Sequence, residues 1–168
     1  GVTPDSGGAW NGKYFPPGAI WYQDHSKAKV HPDSNAIISW LDSAGGFGGG
    51  GRLRIDFSIE VLKADASTPL RAFTPNGDHY TPDCDTDQVP VPPGGAIEGE
   101  SGYECTSDGD CHLIVVDPLR MKLFEMWRAN IVGSNFSGGC LAVWELGFPY
   151  GPEGRREQCT SADPAGFP

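Results

Sequence analysis

Two residues stand out as candidates for proton chemistry. Glu98 lies in a turn of small residues, Gly94-Gly95-Ala96-Ile97-Glu98-Gly99. His112 opens the apolar run His112-Leu113-Ile114-Val115-Val116-Asp117. A carboxyl group against small residues and prolines is suited to general-acid work, and an imidazole titrates near neutrality. Glycoside cleavage uses two carboxyl groups flanking the scissile bond. Glu98, His112, His31 and Asp163 are therefore the candidate catalytic residues, with Asp33, Asp85 and Glu125 as further carboxylates and Tyr103 as an auxiliary acid. Asp33, Asp85, Trp21 and Tyr22 are the candidate ligand-binding residues, because aromatic faces pack on the apolar faces of pyranoses. Asp108-Gly109-Asp110 alternates oxygen ligands as calcium loops do, although the full twelve-residue pattern is absent. Asp108 and Asp110 are thus the candidate metal ligands, and calcium the candidate cofactor. A mononuclear metal on His31, His112 and Asp33 or Asp163 is chemically allowed, but no spacing demands it. No G-x-S-x-G elbow exists, which leaves Ser161 as the only tempting serine nucleophile.

Strands must position these groups. The 24 glycines and 15 prolines punctuate short apolar runs, the pattern of an all-β chain. The expected fold is an antiparallel β-sandwich, jelly-roll-like, with long Gly/Pro-rich loops. Residues 1–30 are expected to form an N-terminal wrapping arm, and residues 31–168 the sandwich domain. The arm's aromatics, Trp10, Tyr14, Phe15, Trp21 and Tyr22, either pack across the core or offer a stacking platform. Strict alternation predicts a strand over Arg52–Leu62. The β-branched run 112–117 predicts a buried strand. Met121–Trp127 reads as its return strand, although its composition also suits a helix, and Cys140–Leu146 as another strand. Ala36–Leu41 is either a short helix capped by Ser34 or Asn35, or a strand. Val89-Pro90-Val91-Pro92-Pro93 must be extended and can only edge a sheet. The run Gly45–Gly51 lacks the Lys-Ser/Thr of a phosphate loop.

Charge and cysteines bound the setting. The net charge of −10 argues against nucleic acid and anionic membrane as partners. Cys84, Cys105, Cys111, Cys140 and Cys159 show no zinc spacing, which points to disulfides and an oxidising compartment. A bridge between Cys105 and Cys111 would pin the acidic loop to the strand that follows. Asn135-Phe136-Ser137 is an N-glycosylation acceptor pattern. No apolar stretch of membrane-spanning length is present. A chain opening on Gly1 is expected to be a mature, secreted, extracellular protein.

Four segments carry a resemblance. They are Val91-Pro92-Pro93-Gly94-Gly95-Ala96-Ile97-Glu98-Gly99, Gly109-Asp110-Cys111-His112-Leu113-Ile114-Val115-Val116-Asp117, Leu123-Phe124-Glu125 and Cys159-Thr160-Ser161-Ala162-Asp163-Pro164-Ala165-Gly166-Phe167-Pro168. Together they resemble a family of secreted bacterial and fungal proteins carrying "PIPP-x-A-x-IEG", "GDRHVLVVD", "LYEL" and "WTSADAAGLP" segments in that order. The resemblance spans roughly residues 31–168 and implies a secreted β fold, without an activity. Cys111 stands where the family has Arg, and Cys159 where it has Trp, which puts any role of that Arg in doubt. Family members continue with further strands. Pro168 is therefore an expected processing site, with a second, disulfide-linked chain supplying the remaining strands. The expected function is a secreted carbohydrate-active protein, hydrolase or lyase, acting on polysaccharide through loop carboxylates and histidine. The alternative is a non-catalytic carbohydrate-binding or structural extracellular subunit.

Overall fold

The structure is a computed structural model that describes residues 14–46 and 58–155. It divides into two compact units, one comprising Gly1–Tyr22 with Ser58–Pro168, the other Gln23–Phe57. Strands dominate the first unit, and the fold is predominantly β. In chain order they are β1 (Val61–Lys63), β2 (Leu70–Arg71), β3 (Thr74–Pro75), β4 (Val89–Pro90), β5 (Leu113–Asp117), β6 (Lys122–Trp127), β7 (Asn130–Val132), β8 (Asn135–Gly138) and β9 (Cys140–Glu145).

The central sheet has the order β1-β5-β6-β9. β5 and β6 are antiparallel, pairing Leu113 with Met126 and Asp117 with Lys122, and β9 continues the sheet by pairing Trp144 with Leu123. The helix-compatible composition of β6 yields to this pairing: both its neighbours are strands, and its residues alternate between two cores. The sheets are not uniformly antiparallel, contrary to expectation. β1 runs parallel to β5, and β3 parallel to β8. Neither pair is joined by a hairpin, so the long connections leave strand direction open.

Period-two alternation sends side chains to opposite faces of the central sheet. On one face Leu113, Val115, Phe124, Met126 and Leu141 pack with Val89, Ile131 and Phe136 of the smaller sheets, and with Val91, Ile97 and Cys111. On the other face Val116, Leu123 and Trp144 pack with Phe15, Ala19, Leu146 and Tyr150, joined by Ile114, Trp21 and Tyr22. Of the described aromatics in residues 1–30, Phe15 is buried and its ring meets Trp21 edge-on at 4.7 Å, while Tyr14, Trp21 and Tyr22 are partly buried against the same cluster. Trp10 lies outside the described residues.

The strand expected over Arg52–Leu62 is corrected where it can be seen. Residues 52–57 lie outside the described set, Ser58–Glu60 are not strand, and pairing begins at Val61. Alternation marks an amphipathic stretch, but a ladder needs a partner, and the β1–β5 pairing starts at Val61 opposite Ile114. Val89–Pro90 is extended as expected, pairing with β2 in a two-stranded sheet. The Asn-Gly turn follows β3, where Asn76 Oδ1 accepts the Asp78 N–H at 2.8 Å.

In the second unit, Ser34–Ser43 is α-helical (α1). Its N-cap is Asp33, without a side-chain capping bond, rather than Ser34 or Asn35. The Asp33 carbonyl already accepts the Ile37 N–H, which puts Ser34 and Asn35 inside the first turn. Gly45, at φ 111°, terminates it in a backbone region that glycine enters without steric cost. Among the described residues no helix is long and apolar enough to cross a membrane.

Two disulfides join described residues, Cys84–Cys140 and Cys105–Cys111. The second is the expected turn-closing bridge, and both are compatible with an extracellular protein. Cys159 lies outside the described residues.

Candidate functional site

Backbone bonds from two directions fix Glu98 and His112. The turn carrying Glu98 is anchored by Ile97, which is buried in the core and whose N–H donates to the Gly102 carbonyl at 3.0 Å. The Glu98 N–H donates to the His112 carbonyl at 2.9 Å. On the other side, Cys111 is buried, disulfide-bonded to Cys105, and left-handed at φ 50°. Its carbonyl accepts the Ala129 N–H, and the Asp110 carbonyl accepts the Arg128 N–H. Arg128 is itself left-handed at φ 54°. Two non-glycine residues in this region mark a backbone held by its surroundings.

These supports bring Glu98 and His112 together. The His112 N–H donates to Glu98 Oε2 at 3.2 Å, and ring Nδ1 lies 2.6 Å from the same oxygen. Both side chains are mostly buried, 14% exposed for Glu98 and 17% for His112. A carboxylate at Nδ1 selects the tautomer protonated there and makes Nε2 the basic nitrogen. The arrangement can orient an imidazole for proton transfer.

Asp110 completes the cluster. One donor atom from each of Glu98, Asp110 and His112 lies within 4.8 Å of the others. Asp110 Oδ1 accepts the Trp127 indole N–H at 3.1 Å, and the Arg128 guanidinium lies over the Trp127 ring at 5.4 Å. Two carboxylates and an imidazole could hold a divalent cation. The nitrogen ligand suits a first-row transition ion better than calcium, which prefers oxygen alone. Asp108 is exposed and belongs to no such group among the described residues. The sulfurs of Cys105 and Cys111 also lie near Glu100, but their disulfide removes the thiolates that a metal would need.

The other candidates fall elsewhere. Asp85 Oδ2 accepts the Val143 N–H at 2.7 Å and pairs with the Arg155 guanidinium, tying its loop to β9. Burial pushes the Asp85 carboxyl up, opposed by the Val143 N–H and by Arg155. Tyr103 donates to the Pro92 carbonyl, and burial pushes its phenol up. His31 and Asp33 belong to the second unit, where both are exposed and their side chains stand 4.0 Å apart. Asp163 and Ser161 lie outside the described residues. Asn135 is exposed at the start of β8, next to a two-residue turn with Gly133 at φ 61°.

Trp21 and Tyr22 line a pocket of about 410 Å³ with Tyr14, Phe15, Val61, Ile114, Leu123 and Glu125. Ile114, which lines it, belongs to β5 and follows His112 by two residues. Glu125 is only 3% exposed, and its Oε2 accepts the Trp144 indole N–H at 2.8 Å. Its position was legible, since it shares the parity of Leu123 within an apolar run. The partnership of Asp110 with Trp127 was not, because seventeen residues separate them. No protein-family model, curated protein or solved structure matches the chain, so its reading rests on its own residues.

Proposed function

We propose that this chain is a secreted, carbohydrate-active protein, acting on extracellular polysaccharide through the Glu98–His112 pair. The observation that carries this reading is the 2.6 Å approach of His112 Nδ1 to Glu98 Oε2. Elimination is favoured over hydrolysis. Hydrolysis uses two carboxyl groups about 5–9.5 Å apart across the scissile bond, and Glu98 already serves to hold His112. In elimination, the His112 imidazole would take the C5 proton beside a uronate carboxyl group, the C4–O bond to the neighbouring sugar would break as the C4=C5 double bond forms, and the leaving oxygen would take a proton from water. The scaffold is read as a jelly-roll-like sandwich, supported by the central sheet packing through one face on the two smaller sheets. Secretion, glycosylation at Asn135, membership of the resembled family and a second chain linked through Cys159 belong to the same reading.

The test is an assay on a panel of neutral and uronate-containing polysaccharides, scoring unsaturated products by ultraviolet absorbance and reducing ends chemically. Glu98→Gln and His112→Ala should each lower the rate by about 10²–10⁴-fold. Full activity in both variants would remove the site. Binding without turnover in the native protein would favour the non-catalytic alternative.

A further inference from the structure

Arg71 is a cation without a carboxylate. Arg120, Lys122, Arg128 and Arg155 each have one within 4.0 Å, whereas Arg71 has none among the described residues. Its guanidinium is nevertheless held. It donates to the Gly133 carbonyl at 3.0 Å and lies over the Phe136 ring, 5.8 Å from the centroid. The Arg71 backbone pairs with Val89 where β2 meets β4. A planar fork fixed from two sides keeps donors for a carboxylate, whose geometry it matches bidentately.

The fork borders a pocket of about 480 Å³, with Glu100, Ser101, Tyr103, Glu104 and Thr106 on its walls. This volume falls in the usual range for a small-molecule site. Glu100 is committed, since its carboxylate accepts the Thr106 hydroxyl and the N–H groups of Thr106 and Ser107. Glu104 is exposed, and among the described residues its carboxylate has no hydrogen-bond or ion-pair partner. A simple anion would satisfy Arg71 but bring no proton to Glu104. A neutral sugar would satisfy Glu104 and leave Arg71 without an anion. A hexuronate carries both groups on one ring: a carboxylate for the fork, and hydroxyls that donate to carboxylate oxygens. The net charge of −10 opposes anions at long range. That field is screened beyond about 8 Å at physiological salt, which leaves recognition to Arg71 itself.

We propose that the Arg71 pocket is a uronate-binding subsite, in which the guanidinium takes the sugar carboxylate and Glu104 accepts sugar hydroxyls. The proposal rests on the carbohydrate reading for its ligand class and gives Arg71 no step in the reaction. Glu100 and Gly102, which line the pocket, lie on the turn that carries Glu98, where the Ile97 N–H donates to the Gly102 carbonyl and the Glu100 N–H to the Ile97 carbonyl.

The test titrates the full chain, isotopically labelled, with methyl galactosiduronate and its neutral counterpart methyl galactoside, following amide resonances. A lone sugar has no neighbour at O4, so elimination cannot cleave it. The amides of Gly102 and Gly133 should shift. The acid should bind at least about tenfold more tightly than the neutral sugar, equivalent to about 1.4 kcal/mol. Arg71→Gln should abolish that preference. Arg71→Lys keeps the charge without the fork and should reduce it, and it serves where Arg71→Gln does not fold. Equal affinity for the two sugars, unshifted Gly102 and Gly133 amides, or a preference undiminished in the folded variant would overturn the proposal. So would acetate or glycine binding as tightly as the galactosiduronate. Unsaturated product from polysaccharide without this preference would remove the subsite and leave the Glu98–His112 reading standing. The preference without any product would keep the subsite and remove that pair's catalysis.

Discussion

His112 Nδ1 lies 2.6 Å from Glu98 Oε2 across fourteen residues of chain, and the backbone of each residue also bonds the other. The Glu98 N–H reaches the His112 carbonyl, and the His112 N–H reaches the Glu98 carboxylate. The pair is thus both a local crosslink and a chemical unit. Glu98→Gln should retain the backbone crosslink while weakening a charge-assisted bond, at about 1–3 kcal/mol of stability. Chemical denaturation checks this. A variant as stable as the native protein would show that the pair does not help hold the turn.

The two disulfides should differ in their effect on stability. Cys84–Cys140 spans 56 residues and Cys105–Cys111 spans six. By loop-closure entropy, replacing the first pair with alanine should cost about 4 kcal/mol and the second about 2 kcal/mol. Denaturant midpoints of the two double variants measure the order, and the reverse order would contradict it. Only the Cys105–Cys111 variant should also lower activity, because Cys111 directly precedes His112.

Glu100 supplies a pH-dependent clamp. Its carboxylate accepts the Thr106 hydroxyl at 2.7 Å and the N–H groups of Thr106 and Ser107 at 2.9 Å. The Thr106 hydroxyl, then the Ser107 side chain and the two N–H groups, bring its pKa from an ordinary 4.5 to about 2. A folded pKa below the unfolded one stabilises above the unfolded value and loses that stabilisation as pH falls toward the folded one. The clamp should hold above about pH 4.5 and release toward about pH 2. Amide resonances of Thr106 and Ser107 should titrate near the lower value. An inflection near 4.5 would mean that the clamp is not formed.

Gly138 lies where a β-carbon would run into the Met126 side chain. Met126 is fully buried between β5 and β9, so it has little room to withdraw. Gly138→Ala should cost about 1–3 kcal/mol by overpacking. Gly77→Ala meets nothing within 4 Å and should be close to neutral, which makes it the control. Thermal midpoints of the two variants give the comparison.

Asn135 should carry glycan when the chain is expressed through a eukaryotic secretory pathway, since it is exposed beside a tight turn. Intact mass with and without amidase treatment reads the modification, and Asn135→Gln should remove it. An unshifted native mass would withdraw Asn135 as an acceptor.

Three strands of the central sheet, β5, β6 and β9, were legible as short apolar runs buried on both faces, whereas β1 was expected to begin at Arg52 and its pairing begins at Val61. Leu123, Glu125 and Trp127 share one face by parity alone, and Pro118 ends the run after Asp117. The six-residue spacing of Cys105 and Cys111 suggested a bridge, because so short a segment keeps the two side chains close. The cap of α1 was less legible, since Asp33, Ser34 and Asn35 are all good capping residues. Which one caps depends on where the chain first turns.

What the sequence determined by itself is local: apolar parity, the proline-extended segment 89–93, the turns, and an acidic, cysteine-bearing composition. The tertiary structure decided every relationship between distant segments. It turned the Glu98 loop back onto His112, joined Cys84 to Cys140, laid β1 parallel to β5, and closed residues 14–22 over Ile114, Leu123 and Glu125. Parity fixes the face on which a side chain stands. The partner across that face depends on long-range chain reversal, where many loop paths differ little in closure entropy and packing selects among them.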